Sequence, residues 1–535
     1  MSDYSRALAV LQAAAACSRG SMRGSLLRVL DTPAMLQAWH GTRCRVLLYA
    51  ATTAHAGAAG SGVTTSQSAG AAPPLPDMGS RRSCELLAME ALYGSQKTIS
   101  ATYFFAGPLD LVGLRSSLAG LLAAVPLLGG RMRRHPPQQG QAGGCSPLSG
   151  WVAEVAAGAG PAATSLVVRR HSGTAADAAA GTDPGDRFAS RPSCWAQMGR
   201  AWWGAAPPPL NATLTRFDGG GTALGIAISH ALCDGDGFHR VVQAWAGGHT
   251  TGCWRDAGRL QLSRAGLRTC LMARGAGEPG AGLQLASARG RVLWGALGWL
   301  GAAGGGAAAS GPRGVAVFTG AELDAMSATD SRTLGRPVSR GTSLAWRLTV
   351  AAARLLLQPA ARGLPVALIV PTNVRLLTGA ERILSSPQYI GNAVYTMRCT
   401  DSANPDLLRR FDKLAAERRA QPGEILEQWL AELQELEAGR LPASSSQGGA
   451  LEFIFNHQAG FRSAEAAVGF GAGLPLRMVP NLESDTFHTV RSLGVGGGVD
   501  VYVNMPATTQ HLVPGWAALA GADEFHDAVC RGTCC

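Results

Sequence analysis

The chain has 535 residues, of which 46% are hydrophobic, and its formal net charge is +11. A chain of this length exceeds one ordinary hydrophobic core, so we expect two folded domains. Nearly all of the positive charge is arginine, since the only lysines are Lys97 and Lys413, and the arginines are scattered along the sequence. A scattered charge is not the clustered basic surface of nucleic-acid-binding proteins, so nucleic acid is a poor candidate for a partner.

The cysteines and the apolar runs exclude several further classes. The twelve cysteines are irregularly spaced, without the paired CxxC pattern of a structural zinc site, so we expect neither a disulfide framework nor a metal. The uncharged stretch 292–310 contains too many glycines for a membrane-spanning helix, and we expect no membrane span. Within it, GAAGGGAAASG is typical of a flexible linker, which predicts a domain boundary at 301–313.

Residues 1–80 have a biased composition. They contain several arginines, no lysine and no glutamate, and many alanines, serines and glycines, as organelle transit segments do. A biased tail with a first edge strand at 45–51 explains the composition equally well. Both interpretations stay open.

The folded part is predicted to begin near Cys84. Residues Thr98–Phe105 have strand composition, and leucines recur at helical spacing from Asp110 to Val125. The stretches 136–149 and 172–192 are rich in glycine, proline and alanine, which predicts loops.

A hairpin followed by a helix is predicted in the middle of the chain. Ala212–Phe217 is one strand, and alternating residues from Leu224 to Ser229 form the next, which runs directly into His230. Asp234-Gly235-Asp236-Gly237 breaks the pattern, and a helix with Asp236 as its N-cap is predicted to follow. Residues 255–300 show no clear pattern.

Helices and strands alternate again in the second half. Helices are predicted near Glu322 after a Thr319 cap, at Ser343–Leu356, and as a pair over Pro405–Leu441. Strands are predicted at Val315–Phe318, Val366–Val370, Leu451–Phe455, Leu476–Val479 and Val499–Met505. This alternation predicts an α/β protein of two layered domains, 81–300 and 314–535.

Several segments together resemble one family. His230-Ala231-Leu232-Cys233-Asp234-Gly235 resembles the HxxxDG signature of the BAHD acyl-CoA-dependent acyltransferases, which belong to the chloramphenicol acetyltransferase-like superfamily. Companion segments occur in the family's order: 108–132, Pro371–Arg375, Gln388–Asn392, and Gly469–Pro475 in the place of DFGWGKP. The resemblance implies two similar domains, each a mixed β-sheet with flanking helices, with an active-site channel between them.

The resemblance also implies roles for individual residues. His230 would be the general base, because an imidazole with a pKa of about 6.5 can accept a proton near neutral pH. Asp234 would form a structural salt bridge with Arg375, and Gly235 would permit a tight turn. Asn456, His457 and Gln458, at the end of a strand, are hypothetical donors to the oxyanion by their position alone. Further candidates for contact with the oxyanion or with CoA are Gly391, Asn392, Gly471 and Gly473.

Two alternative chemistries involve the same motif. Cys233 beside His230 suggests a cysteine nucleophile, but neighbours on a strand point to opposite faces, which favours a core position. His230, Asp234 and His239 could ligate a metal ion only if the strand, turn and helix brought them together, which we do not expect.

Two hypotheses about function follow. In the first, the protein is an O- or N-acyltransferase that moves an acyl group from acyl-CoA to a small-molecule alcohol or amine, with acyl-CoA as co-substrate, no cofactor and no acyl-enzyme. In the second, motivated by the altered GFGAG loop, it binds a CoA ester or a partner without turnover. We expect a monomer in the cytoplasm, or in an organelle such as the plastid if residues 1–80 are a transit segment.

Overall fold

The computed structural model describes residues 82–87, 89–90, 98–134, 151–155, 166–181, 188, 208–274, 314–356, 365–384, 388–402, 404–437, 450–458, 468–480, 487–491, 497–503, 520 and 525. The N-terminal segment 1–80 and the predicted linker 301–313 lie outside these residues.

The strands form three sheets, with orders β1-β4-β3, β12-β2-β7-β6-β5 and β10-β9-β11-β13-β14-β8. Their bounds are β1 Arg82–Glu85, β2 Thr98–Phe105, β3 Arg131–Arg134, β4 Trp151–Val155, β5 Leu166–His171, β6 Leu210–Phe217, β7 Thr222–Ser229, β8 Gly314–Phe318, β9 Val366–Asn373, β10 Val394–Asp401, β11 Leu451–His457, β12 Arg477–Pro480, β13 Phe487–Arg491 and β14 Val499–Val503.

Helices flank the two larger sheets. Their bounds are α1 Leu111–Ala124, α2 Ala175–Ala180, α3 Gly235–Thr251, α4 Arg255–Arg259, α5 Ala265–Ala273, α6 Gly320–Leu334, α7 Arg340–Leu356, α8 Ala380–Ile383, α9 Pro405–Ala420 and α10 Pro422–Glu437. Among the described residues, none of the helices combines the length and the hydropathy that a membrane span requires.

The five-stranded sheet is built around the predicted hairpin. β6 and β7 pair antiparallel from Leu210–Ile228 to Arg216–Thr222, and β2 pairs antiparallel along the other edge of β7. β7 is therefore an interior strand, and all eight of its residues are buried. Its neighbours leave it no freedom to shift in register, because a shift of one residue would exchange its two faces.

Helices α1 and α3 pack together beside this sheet. α1 begins where Asp110 accepts hydrogen bonds from the main-chain N–H groups of Val112 and Gly113. Trp245 of α3 is fully buried and donates from Nε1 to Ser117 Oγ of α1 at 3.0 Å. This packing fixes α3, and with it the turn that leads from β7.

The six-stranded sheet of the second half has the same mixed character. β11 is parallel to both β9 and β13, whereas β13–β14 and β14–β8 are antiparallel. The predicted cap of α6 is present as a capping box, in which Thr319 and Glu322 bond to each other's main-chain N–H groups. The predicted α/β architecture is thus confirmed.

The two halves of the sequence share a sheet. β12 pairs antiparallel with β2, from Arg477–Phe104 to Pro480–Ala101, and so extends the sheet formed by the first half of the sequence. The five-stranded sheet therefore contains strands from both sides of the predicted linker at 301–313.

Two stretches differ from the sequence interpretation. The predicted loop 172–192 contains α2, capped by Thr174, and the indistinct stretch 255–300 contains α4 and α5. These helices have only 5 to 9 residues. A pattern of one or two turns is too short to show a helical repeat, which explains why it was missed.

Candidate active site

His230 lies directly after the last residue of β7 and is partly exposed. Its strand is buried throughout, and the Ser229 N–H donates to the Pro209 carbonyl at 2.8 Å. A rigid interior strand therefore places a partly exposed histidine at its C-terminal end, with Nδ1 of the ring buried.

The turn from β7 to α3 is buried except at this histidine. Ala231, Leu232 and Cys233 are fully buried, and the Leu232 N–H donates to the Ser229 carbonyl at 3.0 Å. The N-cap of α3 is Asp234, whose Oδ1 accepts from the Gly237 N–H at 2.9 Å.

One prediction about this turn was wrong. The N-cap is Asp234 rather than Asp236, because Asp236 lies inside the first turn and pairs with Arg240 at 2.7 Å. Gly235 is the first residue of α3 and is not among the glycines with a positive φ, so its φ does not require a glycine. The glycine required by packing is Gly237, where a Cβ atom would lie 2.1 Å from the Ile390 carbonyl oxygen.

The ion pair implied by the resemblance is present. Arg375 Nη1 lies 2.8 Å from Asp234 Oδ2, and both side chains are almost completely buried. The same carboxylate oxygen accepts from the Ala393 N–H at 2.9 Å. Burial alone would lower the pKa of the Arg375 guanidinium, but Asp234 raises it above its usual value, so the guanidinium stays charged.

Arg375 also fastens the segment that resembles YxGN. Its Nε donates to the Tyr389 carbonyl at 2.8 Å, and its Nη2 donates to the Gly391 carbonyl. Gly391 has no space for a side chain, because a Cβ atom would lie 2.2 Å from the Tyr389 hydroxyl. The contacts of Gly391 are thus with Arg375 and Tyr389.

Asn392 contacts the turn itself. Its Nδ2 donates to the His230 carbonyl at 2.7 Å, and the residue is fully buried. The amide that we considered as an oxyanion donor is therefore bound to the main chain of the candidate base.

A second buried ion pair lies beside the turn, and sequence reasoning missed it. Arg264 Nε lies 2.9 Å from Glu90 Oε2, and Arg264 Nη2 approaches the carbonyls of Ala231 and Leu232 at 3.4 Å each. Burial would lower the pKa of Arg264, but Glu90 raises it well above its usual value. The available signal was a lone glutamate inside the apolar run LLAMEALYG.

The predicted glycines of the GFGAG loop lie elsewhere. Gly471 and Gly473 have φ values of +76° and +83°, which supports a structural role. In the same loop, Phe470 packs edge-on against Trp245, with the two ring centroids 5.2 Å apart. Trp245 is 11 residues after Asp234, about 16 Å along α3 at 1.5 Å per residue, so the structure does not bring this loop to His230.

The end of β11 lies beside α3. Gln458, just after the strand, places its Oε1 3.1 Å from His239 Nε2. Asn456 is partly buried near the end of the strand, in register with His488 of β13. The predicted oxyanion donor is thus on the strand end that approaches the helix following the motif.

The alternative chemistries find no support in this geometry. Burial, reinforced by the neighbouring Asp234, raises the pKa of the Cys233 thiol well above its usual value, so a thiolate nucleophile is disfavoured. Asp234 is occupied by Arg375, and His239 is bonded to Gln458. Among the residues that the structure describes, no group of three His, Cys, Asp or Glu side chains could hold a metal ion.

A cavity of about 490 Å³ lies beside the turn that carries Arg375. Its described lining includes Leu376 and Leu377, the start of α7 at Thr342, and Arg418 and Arg419 from the end of α9; none of the described lining residues is a carboxylate. Arg418 Nη1 donates to Thr372 Oγ1 at 3.0 Å. The cavity is therefore a candidate site for an anionic group.

Comparisons with known proteins agree with this arrangement. A family model described as Transferase family matches residues 201–251, which include β6, β7 and the His230 turn. A search of curated proteins gave no match. The structure of F. graminearum TRI101 with ethyl coenzyme A is similar with a TM-score of 0.60 at 11% identity, covering 84% of this chain and 99% of that chain. Vinorine synthase is similar with a TM-score of 0.52 at 15% identity, covering 82% and 93%.

These findings agree with the resemblance to the BAHD acyltransferases. The fold of the two solved structures covers most of the chain, and the family model covers the segment that carries His230 and Asp234. At such low identity the two structures establish the fold, whereas the roles of individual side chains depend on the geometry of this chain.

Proposed function

We propose that the protein transfers an acyl group from acyl-CoA to a hydroxyl or amine of a small molecule, with His230 as general base. The observation that carries the proposal is the partly exposed histidine at the end of a rigid interior strand, on a turn held by Arg375 and Asn392 from the second half of the chain. A general base has to be held in place while it accepts the proton.

The reaction needs no covalent intermediate. The acceptor oxygen or nitrogen attacks the thioester carbonyl while His230 removes its proton, and a tetrahedral oxyanion forms. The intermediate collapses when the C–S bond breaks, and the CoA thiolate leaves and takes a proton from the imidazolium. Asp234 does not accept the proton, because its carboxylate is paired with Arg375. Acyl-CoA is a co-substrate, and no cofactor takes part.

The cavity beside α7 supports CoA as the donor. Two arginines without a carboxylate among the described lining residues provide a positive potential, and the N-terminal turn of α7 adds the positive end of its helix dipole. The CoA phosphates would bind there. F. graminearum TRI101 has been crystallised with coenzyme A and T-2 mycotoxin, which supports a CoA donor and a small-molecule acceptor for this chain too.

A release assay tests the proposal. Purified protein is incubated with acetyl-, malonyl-, benzoyl-, hydroxycinnamoyl- or long-chain acyl-CoA and pooled alcohols or amines, and free thiol and acylated product are measured. We expect thiol release that depends on the acceptor and matches the product in amount. Binding of acyl-CoA by calorimetry without thiol release in any pool would reject the transferase and favour a binding protein.

A further inference from the structure

Three consecutive main-chain carbonyls of the candidate active-site turn bind side chains that come from far away in the sequence. The His230 carbonyl accepts from Asn392, 162 residues later, and the carbonyls of Ala231 and Leu232 are approached by Arg264. These contacts set the direction of the peptide planes on the C-terminal side of His230. They act at the opposite end of the turn from the Asp234–Arg375 pair.

Glu90 joins these contacts. Its carboxylate binds Arg264 through Nε and Nη2 at 2.9 Å each, and its Oε1 also lies 3.4 Å from the Asn392 N–H. Both members of the ion pair are buried, with 1% and 0% of their side chains exposed. One carboxylate therefore fixes both groups that hold the histidine's end of the turn.

A buried ion pair is weak evidence for stability, because removing two charges from water costs about as much as their attraction returns. A further buried pair of the same kind joins Arg347 to Asp330, at 2.8 Å and with 1% and 0% of the side chains exposed. That pair joins α6 and α7 inside the second half, where Arg347 also donates to the Ala520 carbonyl and Asp330 accepts from the Ser343 hydroxyl. The two pairs thus differ in position and not in type.

We propose that Glu90, through Arg264 and Asn392, positions the imidazole of His230. The inference rests on the proposed function for its kinetic effect, but the orientation of the ring can be measured without turnover. Neither Glu90 nor Arg264 nor Asn392 touches the reacting atoms in this proposal. They are positioning residues.

The matched test compares Glu90→Gln with Asp330→Asn. Each substitution removes one buried charge from an equivalent pair, so both should lower the unfolding midpoint. The rate is expressed per folded molecule, and the ring of His230 is followed by NMR in protein labelled with 13Cε1-histidine, its signal being assigned by its loss in His230→Gln. We expect Glu90→Gln to lower kcat at least about 10-fold, with each KM within about threefold, and to shift the His230 signal. Asp330→Asn should change neither.

The proposal is overturned if the two variants have the same kcat per folded molecule and the same His230 signal as the unsubstituted protein. If Glu90→Gln does not fold, Asn392→Ala, which removes the hydrogen bond to the His230 carbonyl, is judged by the same two readouts. If the unsubstituted protein releases no thiol with any substrate, the proposed function fails. The NMR signal then decides alone, and an unshifted His230 signal in Glu90→Gln or Asn392→Ala rejects the positioning role.

Discussion

Arg375 and Asp234, 141 residues apart in the sequence, are joined by a buried ion pair of 2.8 Å. Asp234 is also the N-cap of α3, so the residue that starts the helix is the residue that the second half of the chain binds. The position of the candidate base is therefore coupled to the assembly of both halves of the molecule.

Asp234→Asn should lower both stability and turnover. Asparagine can still cap α3, but Arg375 is left buried without its counter-charge, and the loss of one partner of a buried pair costs about 3–5 kcal/mol. Displacement of the turn should lower kcat by about 100-fold. Urea unfolding and steady-state kinetics measure the two effects.

Asp236→Asn is the control for this change. The Asp236 side chain is 14% exposed, against 2% for Asp234, and it lies 3.8 Å from Arg375 Nε, so the same substitution should cost less than Asp234→Asn does. Equal losses in the two variants would mean that the buried pair has no special role.

Gly237→Ala should destabilise the junction between α3 and the segment around Ile390. The new Cβ atom would lie 2.1 Å from a main-chain oxygen, which cannot rotate away. We expect a loss of about 1–3 kcal/mol, as in other overpacked sites. The control is Gly247→Ala in the same helix, where no heavy atom lies within 4 Å.

Gly247→Ala should instead stabilise the protein, by about 0.5–1 kcal/mol, since alanine favours a helix over glycine. Both free energies are measured by urea unfolding. A Gly237→Ala variant as stable as Gly247→Ala would contradict the close approach of α3 to the Ile390 carbonyl.

Local patterns in the sequence were enough to predict the strand that delivers His230. The alternation of Leu224, Ile226 and Ile228 is a property of a few neighbouring residues, and the structure has β7 at that place. The choice between Asp234 and Asp236 as N-cap could not be made in this way. Both residues are aspartates followed by glycine, and the tertiary contact with Arg375 decides between them.

The partners of the turn could not be predicted either. Glu90 and Arg264 are 174 residues apart, and nothing near either residue specifies the other. β12 joins the sheet of the first half for a similar reason, since its four residues carry no signal for β2 as partner. Long-range pairs are fixed by the packing of the whole fold, whereas periodicity reports only on local structure.

Arg419→Ala should weaken the binding of the acyl-CoA donor, and only through the contact with the CoA phosphates. A charge-assisted hydrogen bond contributes about 1.5–3 kcal/mol, so the KM for acyl-CoA should rise about 10-fold or more. The KM for the corresponding S-acyl-pantetheine, which has no phosphate, should not change. Steady-state kinetics with the two donors measure the difference.

The matched control is Arg410→Ala, an exposed arginine on the same helix that is paired with Asp401 at 3.5 Å and does not line the cavity. It should leave both KM values unchanged. If Arg419→Ala raises the KM of both donors equally, the cavity does not bind the phosphates.

Cys399 should contribute to a loss of stability at alkaline pH. Burial raises the pKa of its thiol from 9.0 to about 12 in the folded protein. Between these values the folded chain keeps a proton that the unfolded chain has lost, so the free energy of unfolding falls as the pH rises. The free energy of unfolding is measured with urea from about pH 8 to about pH 10.5. In Cys399→Ala it should fall less steeply with pH than in the unsubstituted protein, by up to about 1.4 kcal/mol per pH unit.

Cys253→Ala is the control, because Cys253 is exposed. It should keep the alkaline slope of the unsubstituted protein. A Cys399→Ala variant with the same slope would show that the thiol ionises equally in the folded and unfolded chains.

The most direct measurement is the rate of acyl transfer in His230→Gln, made with an acyl-CoA and acceptor that the unsubstituted protein uses. Glutamine is a polar side chain of similar volume to histidine, but it cannot act as a base near neutral pH. General-base catalysis typically raises the rate by about 100-fold to 10,000-fold. We expect kcat to fall by at least about 100-fold while the unfolding midpoint and the affinity for acyl-CoA by calorimetry stay the same. A folded His230→Gln variant that transfers the acyl group at the unsubstituted rate would contradict the account.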